Sequence, residues 1–210
     1  MSNFIEDEFD KLGLSSQQYP CDKYFTYIEI LHEWNQTYNL TAVKEPNEIL
    51  SRHIIDSLLV LPYIEGKNCL DIGTGAGIPG LILALAQPEK KWVLLDSSQK
   101  KVRFLKHLKY KLHIENIEIV RSQVIEYKPT LPFDTLICRA FAPLDRMIIE
   151  TEHLINNSNQ LLAMKGESID REIKLLQSHN FQTQIIDLSH PDLASQPKLV
   201  RIERWNGSAS

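Results

Sequence analysis

The residues best placed to do chemistry begin at Asp71. In CLDIGTGAGIPG, residues 69–80, an apolar run ends in that acid, and glycines follow at positions 73, 75 and 77. Glycine tolerates positive φ and has no Cβ to collide with a ligand. Gly73 and Gly75 fit the start of a dinucleotide-type G-x-G-x-x-G turn, but its third place is Ile78, with Gly77 one residue early. The next apolar run, VLLD, ends in Asp96. A carboxylate there can accept both ribose hydroxyls of an adenosine. The blander role for the loop is a strand-to-helix joint. For Asp96 it is the cap of the following helix, with Ser97 and Ser98 competing for that job.

A second chemical signal is electrostatic. Lys100, Lys101, Arg103, Lys106, Lys109 and Lys111 fall together without an acid, in a chain of net charge −4. With Val102, Leu105, Leu108 and Leu112 as the apolar stripe, the segment predicts an amphipathic helix with a cationic face. That face suits RNA phosphates, its alternative being a solvated surface. If four of the six cations met phosphates of single-stranded RNA, log affinity would fall with log salt at a slope of about −3. No aromatics are expected among them, so the face would anchor backbone rather than read bases. Arg139, at the end of another strand, suits a ligand's carboxylate or an RNA phosphate. Its plain alternative is an ion pair with Asp134 or Asp145.

The elements that must position these groups follow from periodicity. Residues 22–38 predict a helix with Phe25, Ile28, Leu31, Trp34 and Tyr38 along one face. A second helix runs over 46–61, with Ile49, Leu50, Ile54, Leu58 and Leu61 inward and Pro46 in its first turn. From 68 onward strands (68–72, 91–96, 117–120, 133–140, 159–166) alternate with helices (78–87, 97–114, 142–155, 168–179). Segments 183–189 and 198–205 close the series as a strand pair. This order predicts an α/β fold with a doubly wound, mostly parallel sheet, whose ligands sit beyond the carboxyl ends of its strands. One structural unit is expected: a helical extension over 1–64, the sheet domain over 65–205 and a tail over 206–210. The acidic leader MSNFIEDEFDK is unlike a secretory signal, and LLVL and LILALA are too short to span a bilayer. Three scattered cysteines imply reduced thiols, no metal centre and a cytoplasmic setting without membrane attachment.

The G-x-G-x-G turn after an acidic strand end resembles motif I of class I S-adenosylmethionine-dependent methyltransferases, a Rossmann-like fold. WNQTYNLT (34–41), RHIIDS (52–57), DIGTGAGIPG, LLDSSQKKVRFL, FDTLICRAFAPL and LLAMKG together resemble the glucose-inhibited division protein B family over about residues 20–200. The resemblance implies transfer of a methyl from S-adenosylmethionine to guanine N7 of 16S ribosomal RNA. The partner is then the small-subunit RNA, the 30S subunit or an assembly intermediate. It also implies cofactor contacts at Gly73, Ile78, Val124, Ile125 and Arg139. Many members carry an acid directly after the residue matching Val124; Ile125 stands there, with Glu126 next, which leaves a backbone contact to adenine.

N7 of guanine has an in-plane lone pair and no proton, so no general base is needed and positioning carries the reaction. The chain also lacks an Asp/Asn-Pro-Pro-aromatic stretch and a Pro-Cys pair, and Cys138 is expected to be a small buried hydrophobe. Asn39, Arg52, His53 and Lys165 are candidates for the RNA side, Arg139 and Lys165 for the reacting centre. Asn39 can instead cap its helix, His53 can be a core histidine, and Asp56 can pair with Arg52. The rival functions are a small-molecule methyltransferase, a non-catalytic RNA- or adenosine-binding assembly factor and, least in keeping with Ile78, a nicotinamide dehydrogenase.

Overall fold

The structure is a computed structural model that describes residues 2–166, 169, 172–173, 181–188 and 197–205. Helix α1 (Ser2–Lys11) precedes α2 (Cys21–Tyr38), α3 (Pro46–Ile49) and α4 (Asp56–Leu58). Strand β1 (Asn68–Ile72), helix α5 (Gly80–Ala86), β2 (Lys91–Leu95), α6 (Gln99–Lys111) and β3 (Ile117–Val120) follow. After them come β4 (Thr135–Arg139), α7 (Leu144–Thr151), β5 (Gln160–Lys165), β6 (Phe181–Asp187) and β7 (Lys198–Arg204).

The seven strands form one sheet in the order β3-β2-β1-β4-β5-β7-β6. β1 pairs in parallel with both β2 and β4, so the chain reverses its direction of travel across the sheet there. β7 runs antiparallel to β5 and β6. Helices cover both faces, which is why β1 and β4 are buried along nearly their whole length rather than at alternate residues. The predicted helix 168–179 lies outside the described residues apart from 169, 172 and 173, and the expected tail over 206–210 lies wholly outside them.

The N-terminal elements belong to the same core. Ile5 and Phe9 of α1 are fully buried, one helical turn apart. The acids between them hid this helix from the sequence reading. In α2 the buried side is Cys21, Tyr24, Tyr27, Ile28, Leu31 and Asn35, rotated from the expected stripe; Trp34 is half-buried and Tyr38 exposed. Two tyrosines can go inside because their hydroxyls donate to backbone: Tyr24 to the Ile82 carbonyl at 3.2 Å, Tyr27 to that of Ala76 at 3.1 Å. The helix expected over 46–61 is interrupted by a π-helical segment, Leu50–Ile55. The widened turn buries His53 and Ile55 together with Ile54.

Candidate active site

The turn after β1 is set by its own backbone. Gly73, Gly75 and Gly77 all take positive φ, at 67°, 61° and 90°. A Cβ on Gly73 would stand 2.7 Å from the Phe141 ring. Thr74 donates its N–H to Leu95 at the end of β2, and the Gly77 and Ile78 N–H groups return to the Thr74 carbonyl at 2.8 and 2.9 Å. Asp71 fastens the far side of the turn. Its Oδ2 accepts the Gly80 N–H at 2.8 Å, at the first residue of α5. Burial pushes the Asp71 carboxyl up to about 7, against the pull of that N–H. The predicted ligand contact at Asp71 is therefore replaced by an internal one, because the side chain is wholly enclosed.

Asp96 also holds the loop. Its Oδ2 accepts from Gly75 N–H at 2.9 Å and lies 3.4 Å from Lys101 Nζ, while Oδ1 accepts from Ser98 N–H at 2.8 Å. The carboxylate thus turns the entry to α6, whose N-cap is Ser98, and faces the glycine turn. A carboxylate offers about four acceptor positions. With three in use, one ribose hydroxyl can be taken directly, and a second by displacing the long contact to Lys101.

Around these groups lies a cleft of about 370 Å³ beyond the carboxyl ends of β1 to β4. Gly73, Asp96, Val124 and Ile125, four of the candidate cofactor contacts, line it, with Val124 buried and Ile125 exposed. Lys101, expected on the RNA side, lines the cleft instead. Ile78 packs into the core and Gly75 stands behind the turn, so neither is a lining residue. The sequence reading missed Phe141, which crosses Gly73, and the rim pair Arg146–Glu150 at 2.7 Å. The quoted run FDTLICRAFAPL contains Phe141, but only the fold shows that its ring reaches the glycine turn. A larger cavity of about 560 Å³ lies at the opposite, amino ends of β1 and β2, away from the glycine turn.

Arg139 is the next residue inward. Its Nη2 lies 3.5 Å from Asp56 Oδ2, an ion pair across the helical extension and β4. Asp134, a predicted alternative partner, is engaged elsewhere: its Oδ2 accepts the Lys67 and Asn68 N–H groups at 2.7 and 2.8 Å. The π segment leads into Asp56, whose carboxylate reaches Arg139. Arg139 is absent from the cleft lining, and burial holds its pKa below the usual value. His53 is buried beside it, 2.9 Å from Thr41 Oγ through Nε2. Burial first and the Arg139 charge second push the imidazole down to about 4.

His53 is thus an inward, neutral group rather than an exposed RNA contact. A base with a lowered folded pKa stabilises above its unfolded pKa of about 6.5 and loses that contribution as pH falls through about 4. The stability gap between wild type and His53→Gln, measured by urea denaturation, should shrink between pH 7 and 4. An equal gap at both ends would count against this.

The other candidates divide. Asn39, at φ 47°, ends α2 with its N–H on Asn35, so it is a helix cap with an exposed side chain. Arg52, Lys100 and Arg103 are exposed. Lys165 Nζ donates to the Ala142 carbonyl at 2.7 Å and to Glu172 at 2.8 Å, which ties down the loop carrying Phe141. Cys138 is enclosed, 3.0 Å from the Met147 sulfur, and burial raises its thiol to about 12. The thiolate needed for nucleophilic attack is out of reach there.

The solved structures of a SAM-dependent methyltransferase from Aquifex aeolicus and of an O-methyltransferase from Bacillus cereus in complex with SAH share the fold. Their TM-scores are 0.57 and 0.60, at 17% and 16% identity, covering 78% and 85% of this chain and 96% and 91% of theirs. Among curated relatives, Ribosomal RNA small subunit methyltransferase G of Escherichia coli O17:K52:H18 is 39% identical, covering 97% of this chain and 98% of its own. The protein of that name from Shigella boydii serotype 18 is 41% identical over 91% and 92%. The family model GidB, rRNA small subunit methyltransferase G, matches residues 21–200, and with that extent of agreement the chain belongs to this family.

Proposed function

We propose that this chain methylates N7 of one guanosine in small-subunit 16S ribosomal RNA, as naked RNA, assembly intermediate or 30S subunit, with S-adenosylmethionine as donor. The observation that carries the reading is the cleft itself. A glycine turn at positive φ, a neighbouring acid and the Val124–Ile125 turn converge at the switch point of the sheet. Those residues fit the cofactor. Gly73, at φ 67° on the cleft wall, presents backbone without a Cβ to a ligand, and Asp96 retains an acceptor position for ribose. Val124 and Ile125 would flank the adenine. When bound, the cofactor supplies an activated methyl group on a sulfonium. The chain's part is to orient it and the base. N7 surrenders no proton, so an in-line geometry suffices, and the paired Asp96–Lys101 and Arg146–Glu150 groups need not change protonation. Among the described residues no helix is long and apolar enough to cross a membrane.

Arg139 would steer the methionine carboxylate or an RNA phosphate from its place behind the glycine turn, so Arg139→Ala should weaken binding of one of them. That variant also breaks the ion pair to Asp56, so its melting curve is recorded beside its affinities. An Arg139→Ala protein with wild-type affinity for both cofactor and RNA would remove Arg139 from the site. Tritium transfer from labelled S-adenosylmethionine separates the remaining readings. Label in ribosomal RNA supports methylation of RNA, label in small molecules the alternative substrate class, and binding without transfer an assembly factor.

A further inference from the structure

An RNA substrate has to meet the protein beside the cleft, and the surface around α6 indicates in which form. Lys100, Arg103, His107 and Tyr110 follow one another at spacings of three and four residues, so they share one side of that helix. Contrary to the expectation from sequence, aromatic rings do stand among the cations. Trp34 of α2 rests against this side, its ring centroid 5.2 Å from that of His107 with 37° between the planes. Tyr38, one turn further along α2, lies 5.2 Å from Trp34 at 35°. Phe104 supports the indole from inside at 5.4 Å. Lys100 Nζ donates to the Tyr38 carbonyl at 2.8 Å, which joins the row of rings to the cationic stripe. Tyr38 is 37% exposed and Tyr110 75%, so both offer ring surface to solvent. Lys101, next to Lys100, marks the step from this surface into the cleft.

A duplex offers phosphates but hides the faces of its bases. A single strand offers both, and its bases stack on aromatic side chains. Cations alone would serve either form; rings beside cations favour the second. We propose that this surface holds an unpaired stretch of RNA, with bases against Tyr38 and Tyr110 and phosphates on Lys100, Arg103 and Lys106. It would lead one unstacked guanine toward Lys101 and the cleft. This rests on the reading of the substrate as RNA.

The test uses fluorescence anisotropy with a short labelled oligoribonucleotide, unpaired or annealed to its complement. Wild type should bind the unpaired form at least about tenfold more tightly. Tyr38→Ala with Tyr110→Ala should lose about tenfold on the single strand and little on the duplex, with the salt slope unchanged. Arg103→Gln with Lys106→Gln should reduce the magnitude of that slope by about 1.4. Melting curves and calorimetric binding of S-adenosylmethionine should match wild type in both variants, which shows that they fold. Equal binding of the two RNA forms, or ring variants indistinguishable from wild type, would make this a solvated helix face and overturn the proposal. Wild type that binds the single strand in this way yet transfers no methyl group to ribosomal RNA would instead refute the proposed function and leave the surface assignment intact.

Discussion

Asp96→Ala should bind S-adenosylmethionine about ten- to a hundredfold more weakly than wild type in a calorimetric titration. A hydrogen bond to a charged acceptor contributes about 1.5–3 kcal/mol, which corresponds to that range. The effect has two sources. The ribose loses its acceptor, and the Gly75 and Ser98 N–H groups lose the oxygen that holds the glycine turn to the start of α6. The second source also lowers stability, by about 1 kcal/mol for a lost turn or cap contact. Asp96→Asn keeps one carbonyl oxygen and should fall between the two. Because Lys101 would then lie 3.4 Å from a neutral group, its ion pair should vanish, and only one of the Gly75 and Ser98 N–H groups would keep an acceptor. Full affinity in Asp96→Ala would mean that the cleft binds its ligand by other contacts altogether.

Gly80→Ala should have the largest effect on the fold near the site. A Cβ there would lie 2.5 Å from Asp71 Cβ and 2.6 Å from Leu94 Cδ2, with no flexible side-chain tip to give way on the Asp71 side. Overpacking of this kind costs about 1–3 kcal/mol. In a chain of this size each kcal/mol lowers Tm by roughly 2–4 °C. α5 would be driven away from β1, the Asp71–Gly80 hydrogen bond lengthened and the glycine turn displaced, so cofactor affinity should drop as well. Gly166→Ala is the control: among the described residues nothing lies within 4 Å of its added Cβ, and its Tm should stay at the wild-type value. If the two alanine variants melted together, close packing of α5 on β1 would not be what fixes the turn.

The parts of this architecture legible in the sequence are those that local pattern determines. Strands β1 and β3 have the bounds that their apolar runs predict, and the glycine turn and Asp96 sit at strand ends as expected. Helix ends shifted by a few residues for local reasons. α6 stops at Lys111, and His113 then takes a φ of 50°; α5 begins only at Gly80, after the tight turn. What stayed hidden depends on which distant segments meet. Nothing local announces that Asp56 reaches Arg139, that Phe141 crosses Gly73 or that Trp34 lies on His107. The π segment had the same consequence on a smaller scale. Helical periodicity assumes a constant turn, and after one widened turn Asp56 meets β4 at Arg139, whereas His53 already lay beside the apolar stripe. Lys101 shows the limit of a charge pattern: the run is visible, but which cation turns to an internal acid is decided by the neighbouring loop.

The central claim is that this cleft places a methyl donor against guanine N7 of ribosomal RNA. Its most direct test incubates the purified chain with S-adenosylmethionine and small-subunit RNA, free and in 30S particles from cells lacking the protein, then quantifies modified nucleosides by mass spectrometry after digestion. The account predicts 7-methylguanosine, formed at one position and reduced in Asp96→Ala. Methylation of another base atom, or none in any form of the RNA by a protein that binds the donor, would contradict it.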